Sequence, residues 1–484
     1  MNDLNGKVFF GIDSNAVYPN AKGFFSPSEP YPEYPHEHLA DEKNYVYAMI
    51  RDGFASLGMD RKHFGTPEWN PLGDIIKPGQ SVLIKPNWVI HKNREPQYGD
   101  MNCLVTHPSI IRAVLDYVYL ALKGRGKITI ADAPVQLCNL QELHTKLHYD
   151  KIWEFYKTKG IEINVLDLRG LVASLEDNKF FNMIRNSDEG IIVELNEKSC
   201  FSEISRDLAN RFRITNYDPR ILCKHHTDNK HEYMINPAVL DADVIINLPK
   251  PKTHRKAGFT ACAKNFVGTC MRKEYLPHHT IGSKEENGDE YLKKSILRKY
   301  AAKLLDLYNI AAYEKKKNAI ILKYSSKILT RIGKLLTNDN YAEGSWYGND
   351  TIWRTIVDLN LIMVNANKEG KIMETPQRQI FHICDMIICG EKEGPIEPSP
   401  KKIGAIVMGE NAAVVDWLIC LIMGFKKEAV RYLDYMLNQQ KINDPNKIII
   451  VQNEGKEISL NNFTFLPEWR LIPSLGWQGY IENL

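Results

Sequence analysis

Short runs of apolar, often β-branched residues alternate along this chain with longer stretches whose apolar positions recur every three or four residues. "SVLIKPNWV" predicts a strand over 81–85, and "THPSIIRAVLDYVYLALKGRG" predicts the helix after it. Pro108 stands in the first turn of that helix, Ile111, Val114, Leu115, Val118 and Leu122 form one stripe, and Gly124 ends it. "KITIADAP" predicts a second strand ending at Asp132, and a helical stretch around 151–159 precedes a third in "GIEINVLDL". Further on, "ADVIINLP" and "FHICDMIICG" read as strands. "IGAIVMGENAAVVDWLICLIMGF" reads as strand, turn and buried helix, and "KIIIVQNEG" as a last strand. Strands alternating with helices predict an α/β fold: a doubly wound, mainly parallel sheet, with a second, smaller α/β region and a helical insertion.

The same pattern divides the chain. Residues 1–37, rich in Pro, Gly, Ser and Tyr, read as an irregular N-terminal arm. Residues 38–282 form a main α/β domain, and 346–484 a C-terminal α/β region that completes it, with "EKEGPIEPSPKK" as a Pro-rich loop. Between them, 283–345 is dominated by long helical patterns. From Lys315 to Leu336 there are seven Lys/Arg and no acid, with Ile321, Ser325, Ile328, Leu329, Ile332, Leu335 and Leu336 on one face. Two readings of this basic amphipathic helix over 315–336 stand: packing on its own protein, or docking on an anionic membrane or a protein partner.

Composition narrows the class. The 484 residues are too many for one simple core, and the net charge of +3 carries no global nucleic-acid signature. The basic runs also lack the interleaved aromatics that base stacking needs, so no nucleic-acid partner is expected. The start, "MNDLNGKVFFGIDSN", lacks the basic then apolar pattern of a signal peptide, and no run of eighteen apolar residues occurs. A cytoplasmic protein, at most peripheral at a membrane, is expected. The nine Cys are scattered without any Cys-x-x-Cys pair, so no iron–sulfur cluster is expected.

Charge is informative locally. From Val244 to Lys273 there are seven Lys/Arg and no Asp or Glu, which points to a negative ligand. In an open parallel sheet, ligands sit beyond the carboxyl ends of the strands. Lys85 and Asn87, then Asp132, then Lys250, Lys252 and His254, then Asp385 all fall at such ends. Lys264 and Asn265 lie in "GFTACAKNFVG", among small residues that let backbones approach closely. An ammonium there needs a counter-charge, from a distant carboxylate or from a ligand, or burial would deprotonate it. Asp132 reads equally as a turn cap, Asp385 as a structural ion-pair partner, and His107 as the residue before a helix-starting Pro.

The blocks "VLIKPNWV", "THPSIIRAVL", "ITIADAP", "ADVIINLPKPKTH", "GFTACAKNFVG", "HICDMIICGEKEGP" and "GENAAVVDWLICLIMG" resemble, in this order, domain of unknown function family 362 (DUF362). Many members of that family carry a ferredoxin-like cysteine cassette, which this sequence lacks. His254, the "GFTACA" turn and Lys264 are also similar to a motif of nickel-pincer lactate racemases, as is Thr106-His107-Pro108. That resemblance implies that Lys264 holds a nickel-pincer nucleotide, that His279 or His278 ligates a metal, and that His107 and His254 exchange protons. The racemases' phosphate loop is replaced here by "KPNW".

From residues and resemblance together, an enzyme acting on an anionic small molecule is expected, a carboxylate or phosphorylated metabolite. Lys85, Lys250, Lys252 and Lys264 would bind the anion or a cofactor phosphate, and Asn87 and Asn265 would supply fixed dipoles. His107, His254 and His279 would move protons or bind a divalent metal, with Asp132 or Asp385 orienting them. A racemase, another isomerase and an oxidoreductase all fit. The competing class is a scaffold that binds an anion without chemistry.

Overall fold

The structure, a computed structural model, describes residues 6–95, 97, 99–176, 179–184, 189–314, 316 and 319–483. Its central sheet contains β1 (Lys7–Ile12), β2 (Ser81–Pro86), β3 (Lys127–Asp132), β4 (Asn164–Asp167) and β5 (Val244–Leu248). The C-terminal part of the chain adds β6 (Gln379–Glu393), β7 (Glu397–Gly409), β8 (Ile449–Val451) and β9 (Glu457–Ser459). In space they run β9-β8-β1-β7-β6-β5-β2-β3-β4. The five strands from β4 to β6 are mutually parallel. β7 is antiparallel to both β6 and β1, β8 runs parallel to β1, and β9 closes the edge antiparallel to β8.

Alternation within the strands explains the layers. Val82 and Ile84 of β2 and Ile246 of β5 face the helices Tyr45–Ser56, Pro108–Leu122 and Tyr149–Thr158. Leu83 and Ile245 face the other way, against Leu359, Ile362 and Met363 of the helix Ile352–Asn365. Both faces of the sheet are therefore covered, as the near-continuous apolar runs of β2 and β5 require. Each fully buried Ile, Leu or Val contributes about 1.5–3 kcal/mol. β2 has its sequence neighbour β3 on one side and β5 on the other, so the connections diverge between β2 and β5. A crevice opens at such a switch point.

Two expectations are corrected. Lys7–Ile12, read as part of an irregular arm, is a strand inserted between β7 and β8. Farther along the arm, Tyr18 stacks on His107 at 3.9 Å between ring centroids. The Pro-rich stretch 391–402 is the far end of the β6–β7 hairpin, paired from Glu393↔Glu397 to Ile388↔Lys402. Beyond a register shift between Met386 and Ile388 the two strands stay paired with each other, β6 also meets Lys252 at Gly390, and the outer edge of β7 tolerates Pro398 and Pro400. The strands of the C-terminal region, 346–484, extend the main sheet.

The helical insertion contains the helices Ile296–Tyr313 and Ala319–Thr337. Lys315 and Lys317 lie outside the described residues. The second helix packs on the first through its small residues Ala319, Ser326 and Gly333, seven apart, and not through its large apolar stripe. Ser326 Oγ donates to the Ala301 carbonyl at 2.7 Å, and a Cβ on Gly333 would stand 2.6 Å from Arg298 Cγ.

Candidate functional site

Beyond the carboxyl ends of β2, β3 and β5 lies a cavity of about 360 Å³. Asn87 follows β2, Asp132 ends β3, and Lys252 and His254 lie in the short strand Lys252–His254 that follows β5. That strand folds back against Gly258–Thr260, with His254 opposite Gly258. The hairpin delivers the chain into the single turn Cys262–Asn265, which carries Lys264 and Asn265. Lys256, Lys273 and His278 also reach the cavity, with Arg255 and Pro395 among its other walls.

The turn bearing Lys264 is held from below. Asp416, buried in the helix Ala412–Ile422, accepts the Cys262 N–H at 2.7 Å and the Ala263 N–H at 3.1 Å. Burial pushes the Asp416 carboxyl up to about 6, against these hydrogen bonds. Asn265 donates to Asn247 Oδ1 at 2.7 Å and accepts from Asn87 Nδ2 at 2.9 Å. Lys252 Nζ in turn donates to Asn87 Oδ1 at 2.6 Å and to the Leu104 carbonyl. These hydrogen bonds fix the orientation of both side-chain amides.

Among the described residues neither Lys252 nor Lys264 has a carboxylate partner, although both are over nine-tenths buried. Burial pulls Lys264 down to about 7, helped by the positive charges of Lys273 and Lys256. Lys252 is likewise drawn to about 7 by burial and by Lys250. Lys273, which donates to the Val267 carbonyl at 2.9 Å, is lowered to about 8, first by burial. Burial thus weakens the hold of Lys264 and Lys252 on their protons until each is about half protonated at pH 7, and an anion in the cavity would favour the charged form of both.

The two histidines of the cavity are held in opposite tautomers, assigned from their hydrogen bonds. His254 Nδ1 accepts the backbone N–H groups of Lys256 at 3.1 Å and Ala257 at 3.2 Å, so its proton resides on Nε2. His278 Nδ1 donates to the Leu276 carbonyl at 2.8 Å, which leaves a lone pair on Nε2. Burial, followed by the charge of Lys264, holds both imidazoles well below the usual histidine value, hence neutral at pH 7.

Other expected site residues lie elsewhere or are committed to structure. Lys85 is fully buried and paired with Asp132 Oδ1 at 2.7 Å. The remaining capacity of Asp132 goes to the Trp88 N–H at 2.7 Å and the Ala133 N–H at 2.9 Å, so this carboxylate is a structural hub in the cavity wall. Lys250 and Asp385 form a second buried pair at 2.8 Å, closed by Tyr18, whose hydroxyl donates to Asp385 Oδ1 at 2.6 Å. His107 belongs to that second cluster. Its N–H donates to Asp385 Oδ2 at 2.9 Å, its Nδ1 caps the helix at the Ser109 N–H, and burial holds it neutral. His279 sits behind the cavity, its Nδ1 3.3 Å from Lys256 Nζ. The structural readings of Asp385 and His107 therefore hold, and Lys85, Lys250 and His107 are withdrawn from the ligand-contacting set.

Of the residues that the racemase resemblance names, Lys264, His254 and His278 line the cavity. Among the described residues no three His, Cys, Asp or Glu side chains gather as a metal site. His107 and His279, two of the histidines in that resemblance, do not line the cavity. The sequence reading missed Asp416, and it missed Lys256 and Lys273 as wall residues. The two lysines were within reach, because both belong to the acid-free run 244–273. Asp416 carries no signal of its own; only the packing of its helix under residues 262–265 reveals it.

Comparison with known proteins gives two findings. Residues 188–420 match the family model described as Domain of unknown function (DUF362). A thylakoid-associated protein of Synechocystis sp. is 23% identical over 243 residues, 50% of this chain and 56% of the relative. The chain thus spans about half the length of that relative. The segment 188–420, and with it Lys252, His254, Lys264 and His278, is the part of the chain that matches the DUF362 model.

Proposed function

We propose that the protein is an enzyme that binds an anionic small molecule, a carboxylate or a phosphorylated metabolite, and moves a proton on it. One observation carries this reading. Two buried lysines without carboxylate partners share a cavity with a histidine presenting Nε2–H and another presenting an Nε2 lone pair. Lys252 and Lys264 hold the anion, and its charge draws protons back onto them. His278 Nε2 is the acceptor for a proton of the substrate, and His254 Nε2–H the donor to the opposite side or to a developing oxyanion. Asn87 and Asn265, locked by their mutual hydrogen bond, keep this wall from rearranging. An intracellular location, at most at a membrane surface, belongs to the same reading. No described helix is long and apolar enough to cross a membrane, and the Synechocystis relative is named for its association with thylakoids.

The test is solvent exchange. Small carboxylates and sugar phosphates that raise the melting temperature are incubated with the protein in D2O and followed by NMR and mass spectrometry. Deuterium appears at one carbon of the true ligand, and His278→Gln abolishes exchange while retaining binding. A ligand bound tightly but never exchanged in any condition would leave an anion-binding protein without proton chemistry.

A further inference from the structure

The helix Ala319–Thr337 is buried along the seam of Ala319, Ser326 and Gly333, which Leu322 flanks, and a stripe of its other large apolar residues lies on the opposite side. Ile321 is 64% exposed, Ile328 56%, Leu335 82% and Leu336 75%. At 100° per residue, Ile321, Tyr324, Ile328, Ile332 and Leu335 fall within about 80° of one another, facing away from the packed seam. Lys327 and Arg331 border this stripe on one flank. On the neighbouring helix Ile296, Tyr300 and Leu307 are also exposed, interleaved with Lys299 and Lys303.

Lys299 lies 3.9 Å from Glu286, but the acids of the hairpin itself do not offset Lys303, Lys327 and Arg331. Asp306 is bound to Arg213 at 3.0 Å, and Glu314 to Arg220 at 2.9 Å and Lys316 at 2.6 Å. Asp339, just past the second helix, is paired with Arg298 at 3.0 Å. The outer side thus combines an uncovered apolar stripe, two tyrosines suited to a polar–apolar boundary, and basic flanks.

We infer that this helical hairpin docks on an anionic lipid bilayer, with the stripe from Ile321 to Leu336 immersed among the headgroups and the flanking cations on lipid phosphates. Charge decides between occupants. A second copy of the same surface would bring Lys327 and Arg331 against like charges, whereas an anionic lipid surface neutralises them. The helix lies in the interface and does not span it, since its cations border the stripe along its length. The small-residue seam supports this, because it holds the helix to the protein without using the apolar stripe.

Vesicle co-sedimentation of the full chain tests the inference. Vesicles of phosphatidylcholine alone are compared with equal parts phosphatidylcholine and phosphatidylglycerol. Binding is expected to the mixed vesicles only and to weaken as salt is raised. Lys327→Gln with Arg331→Gln should lower the partition coefficient about thirtyfold, about fivefold per cation. Ile328→Asp with Leu335→Asp should abolish binding. Both pairs are at exposed positions, and circular dichroism with thermal unfolding checks that the variants fold. Absence of binding to the mixed vesicles, equal binding to both, or unchanged binding by the folded Asp variant would each overturn the inference. So would a concentration-dependent dimer that the Asp variant dissolves, which would make the stripe a contact between copies.

Discussion

Lys264→Met tests the electrostatics of the cavity most directly, because it replaces a charge with an apolar chain of similar length. Lys264 is 8% exposed, and burial with two cationic neighbours brings it from 10.5 to about 7. Unfolding restores the ordinary value. Between about pH 7 and 10.5 the unfolded chain therefore binds more protons at this site than the folded one, and stability rises with pH across that window. Below pH 7 the full burden of the buried ammonium is present. Linkage puts it at about 4 kcal/mol at pH 7 and about 2 kcal/mol at pH 9. Met carries no such burden, so the variant should be more stable than wild type at pH 7, and its advantage should shrink by about 2 kcal/mol at pH 9. Packing differences between Lys and Met do not depend on pH, which makes the change with pH the diagnostic quantity. Equilibrium urea unfolding of both proteins at the two pH values measures it. A difference that stays constant with pH would show that the ammonium has a partner in the folded protein, and the argument for an anion site would fail. Loss of ligand response in a stabilised variant would be the signature of a residue kept for function.

Further expectations concern the same cavity and its wall. At pH 8 a lysine titrating at about 7 is about one-tenth protonated. Anion binding that recharges Lys252 and Lys264 should then take up as many as about two protons, read by calorimetry in Tris and in Tricine, and should weaken as pH rises from 7 to 9. Asp132→Asn strands the buried Lys85 ammonium and should cost about 3–5 kcal/mol in urea unfolding. Gly268→Ala should also destabilise, since a Cβ there overlaps Asp132 Oδ1 and stands 2.7 Å from Lys85 Nζ. A fully stable Gly268→Ala protein would show that the ion pair can shift without loss.

Local periodicity carried most of the fold. The strands ending at Asp132 and Leu248 and the helix opened by Pro108 fall where the apolar pattern puts them, because their order is written within a few neighbouring residues. The cationic run 244–273 was legible for the same reason, and five of its seven basic residues line the cavity: Lys252, Arg255, Lys256, Lys264 and Lys273. Pairing was not legible. Lys85 meets Asp132 across 47 positions and Lys250 meets Asp385 across 135, and those encounters depend on which strands become neighbours. Strand order therefore separated the lysines paired with carboxylates from those that are not, and put His107 with Asp385 rather than in the cavity wall that His254 lines.

The same cause hid β1, a six-residue run whose partners β7 and β8 lie about four hundred positions away in the chain. The outer stripe of the basic helix shows the converse. The sequence determined that the stripe exists, since spacing alone places those side chains together. Only the tertiary structure decided that small residues make the contact with the protein and leave the stripe uncovered, because close approach of two helix backbones selects Ala, Ser and Gly. Short-range order is encoded where it is used; the neutralisation or exposure of a charge is a property of the assembled neighbours.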